Sequence, residues 1–185
     1  MTTPIVLIVG APASGKSTAS RGLAARFARS IAINVDDLRS MVVAGVVHPG
    51  AVWTDELVEQ LNLARQSAVA MALRYHAAGF AVVIDDFYDP ASRLREYDDL
   101  AGAGLVRVLL YPDAQKAHAQ NLQRSGPGAV QAYLDDGIRI VYAELGKALD
   151  SLLRDGWIVL DTTQDNPAQT VDRLVALAAP KPGHL

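Results

Sequence analysis

IVLIVGAPASGKST, residues 5–18, runs from a strand pattern through a loop pattern into a helix pattern without a gap. Ile5, Val6, Leu7, Ile8 and Val9 form an unbroken apolar run, the mark of a strand buried on both faces of a sheet. Gly10, four further residues, Gly15, Lys16 and Ser17 then match the complete phosphate-binding loop, with Ala11, Pro12, Ala13 and Ser14 between the glycines. Beyond it, Thr18, Leu23, Ala24 and Phe27 keep helical spacing, and Gly22 is the only breaker among them.

Main-chain N–H groups can wrap a polyphosphate only where side chains do not intrude, which is the work expected of Gly10 and Gly15. A helix that starts there turns its partly positive N-terminus toward the anion. Lys16 is expected to reach the β- and γ-phosphates, and the Ser17 hydroxyl to ligate Mg²⁺. Gly-rich turns between strand and helix also occur without a ligand. The Lys16–Ser17 pair in this setting argues against that reading.

The 185 residues suit one domain over residues 1–180 with a frayed tail at 181–185. Half of them are hydrophobic and a fifth charged, ordinary for a globular chain, and the absence of cysteine excludes disulfides and thiolate chemistry. No apolar segment is long enough to span a bilayer, and MTTPIVLIVG carries no basic leader, so a cytoplasmic location is the default expectation. With a net charge of −3 and only four lysines, long contacts to a nucleic-acid backbone are not expected.

Downstream, strand and helix patterns alternate, which calls for a parallel sheet covered on both faces. Strands are expected at residues 31–35, 80–84, 106–111 and 157–160. Helices are expected at about 54–78, 91–101, 113–123, 129–153 and 167–179, the first capped by Thr54 and closed by Gly79. Residues 40–54, with Gly45, Pro49 and Gly50, read as a short helix and a connection.

Ligands of an open parallel sheet sit beyond the carboxyl ends of its strands. Three carboxylates are expected there: Asp36, Asp85 or its neighbour Asp86, and Asp161. Together they suit a bound cation and a proton acceptor rather than a bare polyanion grip. Asp36 and Arg39, three residues apart, can face one substrate, the carboxylate as general base and the guanidinium on phosphoryl oxygens. In the plainer reading Asp36 only caps a helix. Asp36 and one of the Asp85–Asp86 pair are candidates to hold Mg²⁺ with Ser17.

Arg124 precedes Gly126-Pro127-Gly128, and a closing lid over about residues 124–137 would bring it to the nucleotide and the transferring phosphoryl group. As a plain helix-end charge it needs no ligand. Arg93, Arg95 and Arg139 read as surface charges, and so do the pairs Asp98–Asp99 and Asp135–Asp136. His48, His76, His118 and His184 have no metal-binding spacing. Trp53 is a candidate to pack over the acceptor, Trp157 reads as core, and the loop with Thr162, Thr163 and Asn166 either touches a base or simply caps the last helix.

With GAPASGKS, the DDLR stretch at 36–39 and VVIDDFYDPASR in place, the chain resembles the small phosphate-loop kinases, and over about residues 4–140 the kinase domain of 5′-hydroxyl polynucleotide kinases. In that family a strand-two segment ends Asp-Asp-x-Arg, with the first Asp as general base. The resemblance carries that role to Asp36 and the phosphoryl contact to Arg39, and matches Asp85, Asp89, Pro90 and Arg93 to the third-strand segment. Chloramphenicol phosphotransferase-like and zeta-toxin-like kinases share the same loop and Asp. The resemblance implies a three-layer α/β/α P-loop NTPase fold with a five-stranded parallel sheet of nucleoside-kinase type. It also implies ATP, Mg²⁺ and a hydroxyl-bearing acceptor. GPGAV after Arg124, where polynucleotide kinases carry positive charge, favours a small-molecule acceptor over an oligonucleotide 5′-hydroxyl. A nucleotide switch that signals through residues 40–54 is the reading from another class.

Overall fold

The apolar run forms β1 (Ile5–Gly10), every residue of it buried, in the middle of a five-stranded sheet. The computed structural model describes residues 3–48, 53–89 and 94–179. Its other strands are β2 (Ser30–Asn34), β3 (Ala81–Phe87), β4 (Leu105–Leu110) and β5 (Ile158–Leu160). They lie in the order β2-β3-β1-β4-β5, and every pairing is parallel.

Because successive strand side chains point to opposite faces, β1 feeds two cores. Ile5, Leu7 and Val9 join Val82 and Ile84 of β3 under α3 (Asp55–Ala77) and α5 (Ala129–Arg154), with Ala64, Ala68, Leu145 and Leu152 facing them. Val6 and Ile8 join Val83, Val108 and Leu110 under α1 (Lys16–Ala24) and α6 (Pro167–Ala178), against Ala19, Leu23 and Leu174. Each fully buried Leu or Ile of these layers contributes about 1.5–3 kcal/mol through removal from water. Gly22 lets α1 press on α6, since a Cβ there would stand 2.6 Å from Val171 Cγ2.

The expected strand and helix order holds, with shifts that have local causes. β2 stops at Asn34, whose side-chain oxygen accepts from the Asp37 N–H at 3.0 Å and caps α2 (Val35–Ser40). Asp36 is therefore in the first turn of that helix and is neither the strand end nor the cap. β3 continues past residue 84 through both aspartates to Phe87, because partners described below satisfy their charges. Thr54 caps α3 as expected, accepting from the Leu57 N–H at 3.2 Å.

No helix forms in residues 41–48; Gln60 of α3 pins them instead, accepting from the Val47 N–H at 2.9 Å and donating to the Gly45 carbonyl at 2.7 Å. Pro49 and Gly50 lie outside the described residues, as do Pro90, residues 91–93 with Arg93, and the tail 181–185. In place of a helix over 91–101 there is a 3₁₀ helix, Arg95–Ala103, entered from Leu94 in the left-handed region at φ 57° and left at Gly104 at φ 79°. Its three-residue period sets Tyr97 and Leu100 on the core. Asp113 caps α4 (Ala114–Ser125), which runs two residues beyond the expected end.

Candidate functional site

The loop between β1 and α1 is shaped by packing as well as by what it is suited to bind. A Cβ on Gly10 would stand 2.7 Å from the Leu110 carbonyl oxygen and 2.6 Å from Ser14 Oγ, so only glycine fits. Gly15 is the N-cap of α1 at φ 89°, a conformation cheap for glycine alone, and Ala13 also takes a left-handed φ of 57°. These turns leave the first-turn N–H groups of α1 without helical carbonyl partners. The half-buried Lys16 folds over the loop and donates to the Ala11 carbonyl at 2.9 Å. Withdrawal from water pushes its ammonium below the usual lysine range, against the pull of Asp36, Asp85 and Asp86.

Asp85 is the hub below the loop. It accepts from Ser17 Oγ at 2.8 Å, Ser20 Oγ at 2.8 Å and the Asn34 amide at 2.7 Å. The same amide donates to Ser17 Oγ at 3.1 Å, so one side chain ties the loop hydroxyl, β3 and the cap of α2 together. Asn34 has no place in the sequence motifs. Its only signal is its type, a favoured cap residue just before DDLR.

Ser17 and Thr18 are exposed at this rim. Ser17 with Asp85 behind it fits a small hard cation. Among the described residues no three His, Cys, Asp or Glu side chains gather as a metal group. An ion here would therefore draw its remaining ligands from water and phosphate, as Mg²⁺ commonly does.

Asp36 is exposed and is the carboxylate whose field acts most strongly on Lys16, ahead of Asp85 and Asp86; Arg124, exposed in the last turn of α4, acts on it from the opposite sign. Lys16 thus lies within the fields of Asp36, Asp85 and Arg124, and Ser17 is hydrogen-bonded to Asp85. Arg39 pairs with Asp36 through Nη1 at 3.3 Å and donates from Nη2 to the Val47 carbonyl at 3.1 Å, so it braces the 41–48 segment. Pro12 lies against α5, where a Cβ on Gly137 would be 3.5 Å from its ring.

Asp86, one residue on, points to the other face and belongs to a buried charge network. Arg65 of α3 donates to Asp86 at 2.8 Å, Asp89 at 2.9 Å and Glu96 at 3.2 Å, and the Tyr97 hydroxyl donates to Asp86 at 3.0 Å. Burial pushes the Asp86 carboxyl up, opposed by Arg65, and pushes the Tyr97 phenol well up, reinforced by Asp86. Burial alone would lower Arg65, yet Asp86 and Asp89 carry it above its ordinary value. Arg65 stands in the apolar stripe of Leu61, Ala64, Ala68 and Ala72, a misplaced cation that was a readable signal of buried partners.

On the other flank, Lys116 Nζ donates to the carbonyls of Thr162, Thr163 and Asp165 at 2.5, 3.0 and 2.7 Å. Arg173 holds the Asp161 carbonyl and the Asp165 carboxylate, both at 2.6 Å. Asn166 and Gln169 form a capping box at the start of α6. Asp161 accepts from the Thr163 hydroxyl and N–H, which hold it below the usual carboxylate range. Asp135, expected at the surface, instead joins α5 to α4: it accepts from Asn121 at 2.8 Å and contacts His118 Nδ1 at 2.7 Å. Asp98 pairs with Arg107 at 2.7 Å.

A strand, an anion-cradling loop and a helix bearing Lys16 and Ser17 at the middle of a β2-β3-β1-β4-β5 parallel sheet define a P-loop protein of the three-layer α/β/α class. The chain belongs to the AAA domain family (AAA_33), whose profile matches residues 5–137. Similar solved structures include a shikimate kinase from Acinetobacter baumannii in complex with shikimate, at 17% identity over 95% of this chain and 93% of that one, TM-score 0.65. A gluconokinase from Sinorhizobium meliloti 1021 is similar at 17% identity over 96% and 93%, TM-score 0.63. An unliganded sugar kinase from Janibacter sp. HTCC2649 is similar at 20% identity over 95% and 94%, TM-score 0.59. At these identities the likeness is one of fold. No match to the chain is found among curated proteins. No helix among the described residues is long and apolar enough to cross a membrane.

Proposed function

We propose that this protein is a phosphotransferase that moves the γ-phosphoryl group of ATP to a hydroxyl of a small-molecule acceptor, with Asp36 as general base. The reading is carried by the field of the exposed Asp36 carboxylate on Lys16, stronger than that of any other carboxylate acting on it, beside the hydrogen bond that joins Ser17 to Asp85. The loop N–H groups and Lys16 hold the phosphates. Ser17, with Asp85 and Asp36 acting through water, would hold Mg²⁺, which when bound neutralises charge on the phosphate oxygens. Asp36 takes the proton of the acceptor hydroxyl as its oxygen bonds to the γ-phosphorus, and the bond to the departing ADP oxygen breaks. Arg124, on a lid over about residues 124–137, adds positive charge to the transferring group and to the nucleotide phosphates. Arg39, paired with Asp36 at 3.3 Å, orients its carboxylate.

That similar folds belong to kinases of shikimate, gluconate and sugars supports a small alcohol as acceptor. Acceptor-dependent ADP release by wild type and Asp36→Asn tests the assignment. The variant is expected to keep nucleotide affinity and to lose about 10²- to 10⁴-fold in turnover, the usual loss with a general base. Undiminished turnover would remove Asp36 from the chemistry. Transfer of label to a 5′-hydroxyl oligonucleotide in place of every small alcohol would move the acceptor to nucleic acid.

A further inference from the structure

Lys116, half-buried on α4, spends its ammonium on one short loop beyond β5, with hydrogen bonds to the Thr162, Thr163 and Asp165 carbonyls. Three carbonyl oxygens that converge on one point repel one another, and a cation with three donors removes that repulsion. The loop is tied to α4 a second time, where the Asp113 N–H donates to the Thr163 hydroxyl at 2.8 Å. Arg173 of α6 holds its other side through the Asp161 carbonyl and the Asp165 carboxylate.

This loop stands at the reach of a nucleoside whose phosphates lie between β1 and α1. Gly10 is in register with Leu110, and Leu110 with Leu160, so the end of β5 is two strand spacings, about 10 Å, from Gly10. Along α4, Lys116, Gln120 and Arg124 share one ridge at four-residue spacing, about 12 Å from first to last. At one end of that ridge the charge of Arg124 acts on Lys16, and at the other Lys116 grips the loop. Gln120, between them, has its side-chain Oε1 buried with no hydrogen-bond partner among the described residues. A buried acceptor of that kind calls for a donor from outside the chain.

We infer, resting on the nucleotide-binding part of the phosphotransferase reading, that Lys116 is a positioning residue for the nucleoside. Its ammonium holds the 162–165 loop in the shape that the base meets, while the phosphates are held without it. Charge and donor geometry act together here. A methionine keeps the stem of the side chain and loses both, and the planar fork of an arginine cannot turn toward three carbonyls at one point. A loop arranged before binding spares the ligand the cost of ordering it. Loss of the ammonium therefore weakens a nucleotide and spares a polyphosphate that has no base.

The test compares a non-hydrolysable ATP analogue with inorganic tripolyphosphate by titration calorimetry, Mg²⁺ present, on wild type and Lys116→Ala. The variant is expected to bind the analogue at least about tenfold more weakly and tripolyphosphate less than about threefold more weakly. n-Propylammonium, which replaces the atoms removed from the side chain, is expected to restore analogue affinity by at least about threefold, and neutral 1-propanol to restore none. Lys116→Met, which keeps the apolar stem, is expected to show the same split between the two ligands and stands in where circular dichroism finds Lys116→Ala unfolded. An equal loss for both ligands, no loss for the analogue, or recovery by both additives or by neither overturns the inference. Acceptor-dependent ADP release keeps this claim apart from phosphoryl transfer. A raised KM for ATP at nearly unchanged kcat supports the role of Lys116, and a lowered kcat at unchanged KM counts against it. ADP release from wild type that no acceptor stimulates removes the transfer reading, while a split between the two ligands still upholds Lys116.

Discussion

The Asn34 amide donates to the Asp85 carboxylate at 2.7 Å, and the two are register partners on adjacent strands. Asn34 also caps α2 and donates to Ser17, so the position of Asp36 is coupled to the loop hydroxyl through one side chain. Asn34→Ala removes both the cap and the donor. It is expected to cost about 1–2 kcal/mol of stability and to lower turnover more than ATP affinity. Asn34→Asp retains a cap oxygen but sets a second carboxylate against Asp85. It is expected to recover part of the stability and none of the turnover. Thermal unfolding and steady-state kinetics on both variants check this, and wild-type turnover in either one refutes the coupling.

Arg65 is the sole cation bonded to Asp86, Asp89 and Glu96 in the ion pairs among described residues. Arg65→Met leaves those carboxylates in the interior without it, and breaking a buried pair in this way costs about 3–5 kcal/mol. Denaturant unfolding is expected to show a loss in that range, and a loss under 1 kcal/mol would mean that the network contributes little.

Asp135 holds α5 to α4 through His118 and Asn121 and accepts from Gln131 within α5; hydrogen bonds from Asn121 and His118 keep its carboxyl below the ordinary value of 3.8. A depressed carboxyl adds stability that is complete above the unfolded value and disappears as pH falls through the folded one. The stability gap between wild type and Asp135→Asn is therefore expected to shrink as pH falls from about 5 and to close below pH 3.8. Paired unfolding curves across that range measure it, and a gap that widens on acidification contradicts the assignment.

Gly10→Ala would set a methyl against the Leu110 carbonyl and Ser14. Overpacking of this kind costs about 1–3 kcal/mol. The variant is expected to be less stable with no nucleotide present and to bind ATP weakly. Thermal unfolding without ligand distinguishes this packing role from a purely ligand-facing one, for which stability would not change.

The strand-loop-helix unit, the parallel sheet and both termini of α3 were legible because each rests on local chemistry: an apolar run, a spaced glycine pair, a cap. The end of β2 was misjudged because Val35 suits a strand by type, while the Asn34 cap had already begun the helix. The 41–48 segment carries no periodic signal, since its shape comes from Gln60. Asp135 passed for a surface charge because its partners His118 and Asn121 belong to another helix.

From residues 5–18 the sequence by itself determined that a lysine-bearing anion cradle opens at the end of a buried strand, because that geometry depends on neighbours in the chain. Which of Asp85 and Asp86 serves that cradle was decided only in three dimensions. The pleat sends adjacent side chains to opposite faces of β3, and the packing of α1 on one face and α3 on the other fixes their partners. Asp85 meets Ser17 and Ser20 of α1, and Asp86 meets Arg65 of α3.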